Sequence, residues 1–146
     1  ACYGDLVYFN EKRCVRYWGA APFRRGAFAW GTHPPHPTFF VKTAIYQKYG
    51  TFDLRYRMGN DIELMMRFLE KYQISSLYIP DVLVKMRLGG VSNQSWSHVF
   101  EQNRQILRAS KDLELDFNLA QFLLGKFVNR LSQFLLKSRS FNQYAK

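Results

Sequence analysis

The chain has 146 residues, 47% of them hydrophobic, with 13 Phe and 9 Tyr, and a net charge of +10 from 21 Lys plus Arg against 11 Asp plus Glu. That is enough for one modest domain with a real core, and the charge favours anionic partners: a nucleotide diphosphate, an anionic membrane surface or nucleic acid. No uncharged apolar run approaches the roughly 20 residues that span a bilayer, and Cys2 and Cys14 lack the spacing of a zinc site or a disulfide framework. Reduced thiols and a cytoplasmic setting are therefore expected, with no signal peptide visible.

Leu6 to Phe9 and Cys14 to Trp18 read as paired strands across the polar turn Asn10-Glu11-Lys12-Arg13. Gly19 to Trp30 reads as a basic, glycine-containing loop in which Arg24, Arg25, Phe23, Phe28 and Trp30 either hold a phosphate or a sugar, or simply anchor a solvated loop. His33 and His36 are three apart, which places them on one face of a polyproline II segment, two ligands with no suitable third. Thr38 to Lys42 follows as a short strand, and Thr43 to Tyr49 as a short helix ended by Gly50.

The main helix is expected over Asp61 to Tyr72, with Ile62, Met65, Met66, Leu69 and Tyr72 on its apolar face and Glu63, Arg67, Glu70 and Lys71 on the wet side. Asn60 and Glu63 have the spacing of a capping box variant, which leaves Asp61 as an uncommitted carboxylate in the first turn. It is either a first-turn acid favoured by the helix dipole or a general base. Asp61 and Glu63 cannot clasp one metal, because residues two apart on a helix diverge by about 200°.

Beyond it, Ile74 to Ile79 and Val82 to Arg87 read as strand segments broken at Pro80, which marks a bulge or a sheet edge. The loop Leu88-Gly89-Gly90-Val91-Ser92 lets a backbone approach a ligand closely beside Arg87, or is an ordinary turn. Ser95 to Ser110 reads as a polar helix. Asp112, Glu114 and Asp116 read as a solvated connection. From Phe117 to Lys137 the residues Leu119, Phe122, Leu123, Phe127, Val128, Leu131, Phe134 and Leu135 recur at helical spacing among Lys126, Arg130 and Lys137, so the helix lies on a membrane surface or packs on the core or a partner.

Taken in order, His33-Pro34-Pro35-His36-Pro37-Thr38-Phe39-Phe40, Tyr46 to Asp53, Asn60 to Arg67 and Tyr78 to Ser92 resemble the acceptor half of a family 2 glycosyltransferase, over about residues 4–95. The resemblance implies an α/β fold: the incomplete C-terminal half of a GT-A-like nucleotide-diphospho-sugar transferase, with short mixed-sheet strands, flanking helices and a helical tail. It divides the chain into an acceptor-side half, 1–95, and a C-terminal tail, 96–146. It implies part of an inverting transferase that moves a sugar from a nucleotide-diphosphate donor to an acceptor hydroxyl, in cell-surface polysaccharide or glycolipid synthesis. Asp61 is implied as catalytic base, and His36, Thr38, Arg87, Gly89 and Gly90 as substrate-binding residues.

The family's donor-binding half, with its Asp-x-Asp motif, would precede Ala1, so the chain is expected to be a fragment or truncated product that is inactive alone. A divalent metal, Mg or Mn, is implied for the complete enzyme, with ligands outside this chain. A separate donor-binding chain is an expected partner, and peripheral attachment to the inner membrane face an expected location. The alternative is a noncatalytic basic module that binds a membrane or a protein through its tail. A nucleic-acid binder ranks last, since the basic residues are dispersed and no recognition motif accompanies them.

Overall fold

The computed structural model describes residues 1–10, 13–87 and 96–135. β1 (Cys2–Asn10) is the central strand of a three-stranded mixed sheet, antiparallel to β2 (Arg13–Trp18) and parallel to β3 (Leu77–Arg87), in the order β2-β1-β3. Burial follows position: Tyr3, Asp5, Leu6 and Val7 of the central strand are all buried. β3 is continuous where two segments were expected. Its register against β1 slips from Ile79 to Val82 across Pro80, so the proline is accommodated by a bulge on an edge strand, where its missing N–H costs least.

α1 (Thr43–Tyr49) ends at Gly50, whose φ of 86° suits a residue without Cβ. The segment expected as a strand from Thr38 instead closes a 3-10 turn, His36–Thr38, and only Phe40 bridges to Cys2. α2 (Asn60–Met66) continues as a π-helical turn, Arg67–Lys71. Its expected wet side is only partly wet: Lys71 is exposed, but neither acid is. Glu63 and Glu70 are buried along with Ile62, Leu64, Met65, Met66, Phe68 and Leu69, while Tyr72, expected inside, is 41% exposed and stacks on Tyr49 at 4.1 Å.

The buried carboxylates explain how a helix enclosed on nearly all sides tolerates them. Glu63 takes Arg67 in a two-pronged pair at 2.8 and 3.0 Å, and Arg67 also donates to the carbonyls of Tyr49 and Thr51, which ties α2 to the end of α1. Glu70 accepts the Gly26 amide with both oxygens at 2.9 Å. The capping box does not form: the helix starts from Gly59, whose carbonyl accepts the Glu63 amide, while the Glu63 carboxylate is turned to Arg67.

α3 (Trp96–Asp112) and α4 (Leu119–Leu135) complete the described chain. One apolar cluster joins Phe28, Tyr56, Ile62, Met65, Met66 and Leu69 to Ile106, Ala109, Leu113 and Phe122, so both helices share the core of the preceding residues. α4 approaches the 3-10 turn Ala27–Trp30 so closely that a Cβ on Gly125 would lie 2.1 Å from the Trp30 carbonyl oxygen. Phe122 is buried on that side, and Leu119, Leu123, Leu124, Phe127, Val128 and Leu131 are exposed on the other. No helix among the described residues is long and apolar enough to cross a membrane.

Candidate functional site

The loop between β2 and the histidines forms one wall of a large cavity, and two carboxylates hold it. Asp5, buried in β1, accepts from the Ala20 amide at 2.7 Å, from Tyr78 Oη at 2.9 Å and from Tyr17 Oη. Burial, with the neighbouring Asp5 carboxylate next, pushes the Tyr78 phenol up to about 12, so Tyr78 serves as a donor at any ordinary pH. Glu70 fixes the same loop six residues further on, at Gly26. Neither acid carried a motif; only the coincidence of an acid with a core-facing position could have flagged them.

The cavity so framed has a volume near 1230 Å³ and is lined by Tyr8, Tyr17, Trp18, Phe23 and Trp30 together with His33, His36 and Asp61. Asp61 occupies the first turn of α2. Its Oδ2 lies 3.2 Å from His36 Nδ1, and its Oδ1 accepts the Ile62 amide at 2.9 Å. The carboxylate is thus held in place rather than uncommitted, yet it is 24% exposed and its neighbour His36 is 47% exposed, so both face the opening.

His33 and His36 both line the cavity but differ in setting. His36 opens the 3-10 turn, whereas His33 is stacked on Phe28 at 6.0 Å and edge-on to Trp18 at 5.3 Å, with its Nδ1 2.9 Å from the Pro34 carbonyl. Loss of hydration lowers the His33 imidazole to about 4, outweighing the opposing bond to Pro34, so it is neutral at physiological pH.

Thr38 does not line the cavity. It is fully buried, and its hydroxyl stands 2.9 Å from the Gly4 carbonyl and 2.8 Å from the Pro35 carbonyl, with the Gly4 amide at 3.3 Å. Its place is to pin the histidine turn to β1. Arg87, at the end of β3, does line the cavity, as do Arg24 and Arg25. Gly89 and Gly90 lie outside the described residues.

A divalent metal would need several oxygen or nitrogen ligands converging. No group of three or more His, Cys, Asp or Glu side chains is so placed among the described residues, so the residues present do not make a site for one. Asp112, Glu114 and Asp116 are exposed, as expected of a solvated connection, although Asp112 also accepts from Tyr56 Oη and Glu114 lies 3.6 Å from Lys71. Comparison with protein-family models, curated proteins and solved structures finds no match to this chain.

Proposed function

We propose that this chain is the acceptor-side half of a GT-A-type inverting glycosyltransferase, with Asp61 as the base that activates the acceptor hydroxyl. The observation that carries the reading is the held, solvent-facing carboxylate at the mouth of α2, 3.2 Å from His36 on the wall of an aromatic and basic cavity. Aromatic faces suit sugar rings, and cations suit a diphosphate. In the proposed step the acceptor oxygen attacks the anomeric carbon from the side opposite the nucleotide diphosphate. The new C–O bond forms as the bond to the diphosphate oxygen breaks, and the hydroxyl proton passes to Asp61, so the configuration inverts.

His36, with its Nδ1 toward Asp61 Oδ2, positions the carboxylate, and Arg87 is available to the departing diphosphate at the far edge of the sheet. The donor half lies on another segment or chain in this reading, and no step is assigned to a metal here. Two measurements test it. The chain alone, given nucleotide sugars, should release no nucleotide above blank. Joined to a donor-binding half, Asp61→Asn should lower turnover by roughly 10²–10⁴ while donor binding persists, and retained turnover removes Asp61 from the role.

A second reading, a noncatalytic module on an anionic membrane surface, is favoured by one feature. α4 turns its apolar stripe outward, with Phe127 67% and Leu124 59% exposed. The two readings are compatible, since a transferase using a membrane-borne acceptor needs such a face.

A further inference from the structure

His33 brings to the cavity a fixed lone pair that the proposed proton transfer does not use. The chain that carries it is stiff. A residue before proline is confined to extended backbone, Pro34 and Pro35 are both buried, and Thr38 pins the following turn to β1. The ring itself is held by its stack on Phe28 and by the Trp18 ring edge-on to it. Its orientation is thus set before any ligand arrives.

The contact with Pro34 decides where the imidazole proton sits. A carbonyl oxygen can only accept, so the 2.9 Å contact puts the proton on Nδ1 and leaves Nε2 with its lone pair. No donor among the described residues reaches Nε2, and it is not an enclosed unpartnered atom, so it meets the solvent of the cavity that His33 lines. Because the ring stays neutral at physiological pH, Nε2 remains an acceptor there. His36 is turned the other way, with its Nδ1 toward Asp61 Oδ2. The two histidines are three residues apart, which limits their Cα separation to about 11 Å, so a ligand of one or two sugar rings meets both the carboxylate at His36 and the lone pair of His33.

We propose that His33 determines specificity: its Nε2 accepts a hydrogen bond from a hydroxyl of the acceptor other than the one Asp61 deprotonates, which makes the acceptor a neutral saccharide. This rests on the transferase reading for the identity of the ligand as acceptor, while the lone pair stands on its own geometry. Two hydrogen-bond acceptors on one wall, Asp61 and His33, call for two donors from the ligand, and a sugar supplies them from neighbouring hydroxyls. A monohydric alcohol would strip Nε2 of water and give it no donor, which is a larger loss than the bond is a gain. An anionic group would set lone pair against lone pair. Trp18 and Trp30 line the same cavity and offer the apolar faces that a sugar ring covers.

The chain has three histidines, so proton–nitrogen correlation spectra of the 15N-labelled protein resolve each ring, with His33 assigned by its loss in His33→Phe. The expected pattern is a neutral ring protonated on Nδ1. Titration with glucose, galactose and N-acetylglucosamine should move the Nε2 resonance saturably for at least one sugar and leave Nδ1 nearly still. His33→Phe, which keeps the stack on Phe28, should weaken binding of that sugar roughly three- to tenfold, with circular dichroism confirming the fold. Among the monodeoxy forms of the same sugar, one should bind the parent chain more weakly yet bind His33→Phe as well as the full sugar does, a readout that a purely structural role would not move. Asp61→Asn should keep the Nε2 shift, since its amide oxygen still accepts; turnover retained by that variant in the joined enzyme would then remove the base and leave the sugar contact standing. A proton found on Nε2, no saturable binding of any of the sugars, an Nε2 resonance unmoved at saturation, or equal binding by His33→Phe would each overturn the proposal.

Discussion

At the scale of single residues, burial separates two acids that the sequence pattern treats alike. Asp61 and Glu63 both belong to the first turn of α2, but Glu63 is 3% exposed and grips Arg67, whose side chain is only 12% exposed. Glu63→Gln leaves that guanidinium buried without its counter-charge, a loss of about 3 kcal/mol or more, whereas Asp61→Asn should change stability little. Urea unfolding of the two variants checks the contrast. A capping box leads to the opposite expectation for Glu63, because local spacing cannot register that α1 and the chain after it close over this side of the helix. Conversely, the position of Asp61 at the helix mouth was legible, since helix start signals are local; the bond to His36 was not, since it depends on how the 3-10 turn docks. His33 carries a pH prediction. Its imidazole falls from 6.5 to about 4 on folding, so the unfolded chain binds a proton that the folded chain refuses. Stability from this group is complete above about 6.5 and declines as pH falls toward 4, by up to about 3 kcal/mol. His33→Phe, which keeps the stack on Phe28, should flatten that part of the pH–stability curve, and an unchanged slope would show that other groups set it.

At the scale of elements, α4 shows where periodicity stops being informative. Phe122 and the stripe from Leu119 to Leu131 share helical spacing, yet they divide: Phe122 is 3% exposed and Phe127 67%. The helix docks through Gly125 against the Trp30 backbone and through Asn129, which donates to the Trp30 carbonyl at 3.1 Å and to Thr32 Oγ1 at 2.7 Å. A small residue and an amide carry the contact, and neither adds to an apolar pattern. The strands were more legible because alternation and turn residues act locally, and Pro80 announced its bulge for the same reason. Gly125→Ala gains helix propensity of about 1 kcal/mol but drives a methyl into backbone atoms that cannot rotate away, so a net loss of roughly 1–3 kcal/mol is expected. Leu124→Ser, one position earlier on the outer face, should stay within about 0.5 kcal/mol. Unfolding midpoints that reverse this order would mean that α4 docks by its other face.

At the scale of the whole molecule, charge and apolar exposure fall on the same end of the chain. From Phe117 onward the sequence holds five basic residues, Lys126, Arg130, Lys137, Arg139 and Lys146, and no Asp or Glu. Lys137, Arg139 and Lys146 lie outside the described residues, but α4 before them exposes Leu119, Leu123, Leu124, Phe127, Val128 and Leu131 together. Composition made the net positive charge legible, and the sequence left open whether the stripe faced a core or a membrane. The inward side is already taken by Phe122 and Gly125, so the stripe cannot turn inward without undocking the helix. An anionic bilayer meets both properties: basic residues are drawn to the headgroups over a Debye length of about 8–10 Å, and Phe and Leu side chains enter the acyl boundary. Vesicle cosedimentation should therefore show binding that requires anionic lipid and weakens with salt. The pair Phe127→Ser with Leu131→Ser should reduce it sharply while leaving the unfolding midpoint nearly unchanged, because both side chains are already half or more exposed. If the intact chain ignores anionic vesicles and instead sediments as a dimer that the same pair dissolves, the outward face is a protein interface. If the pair unfolds the chain, the face is covered in solution by the chain's own packing.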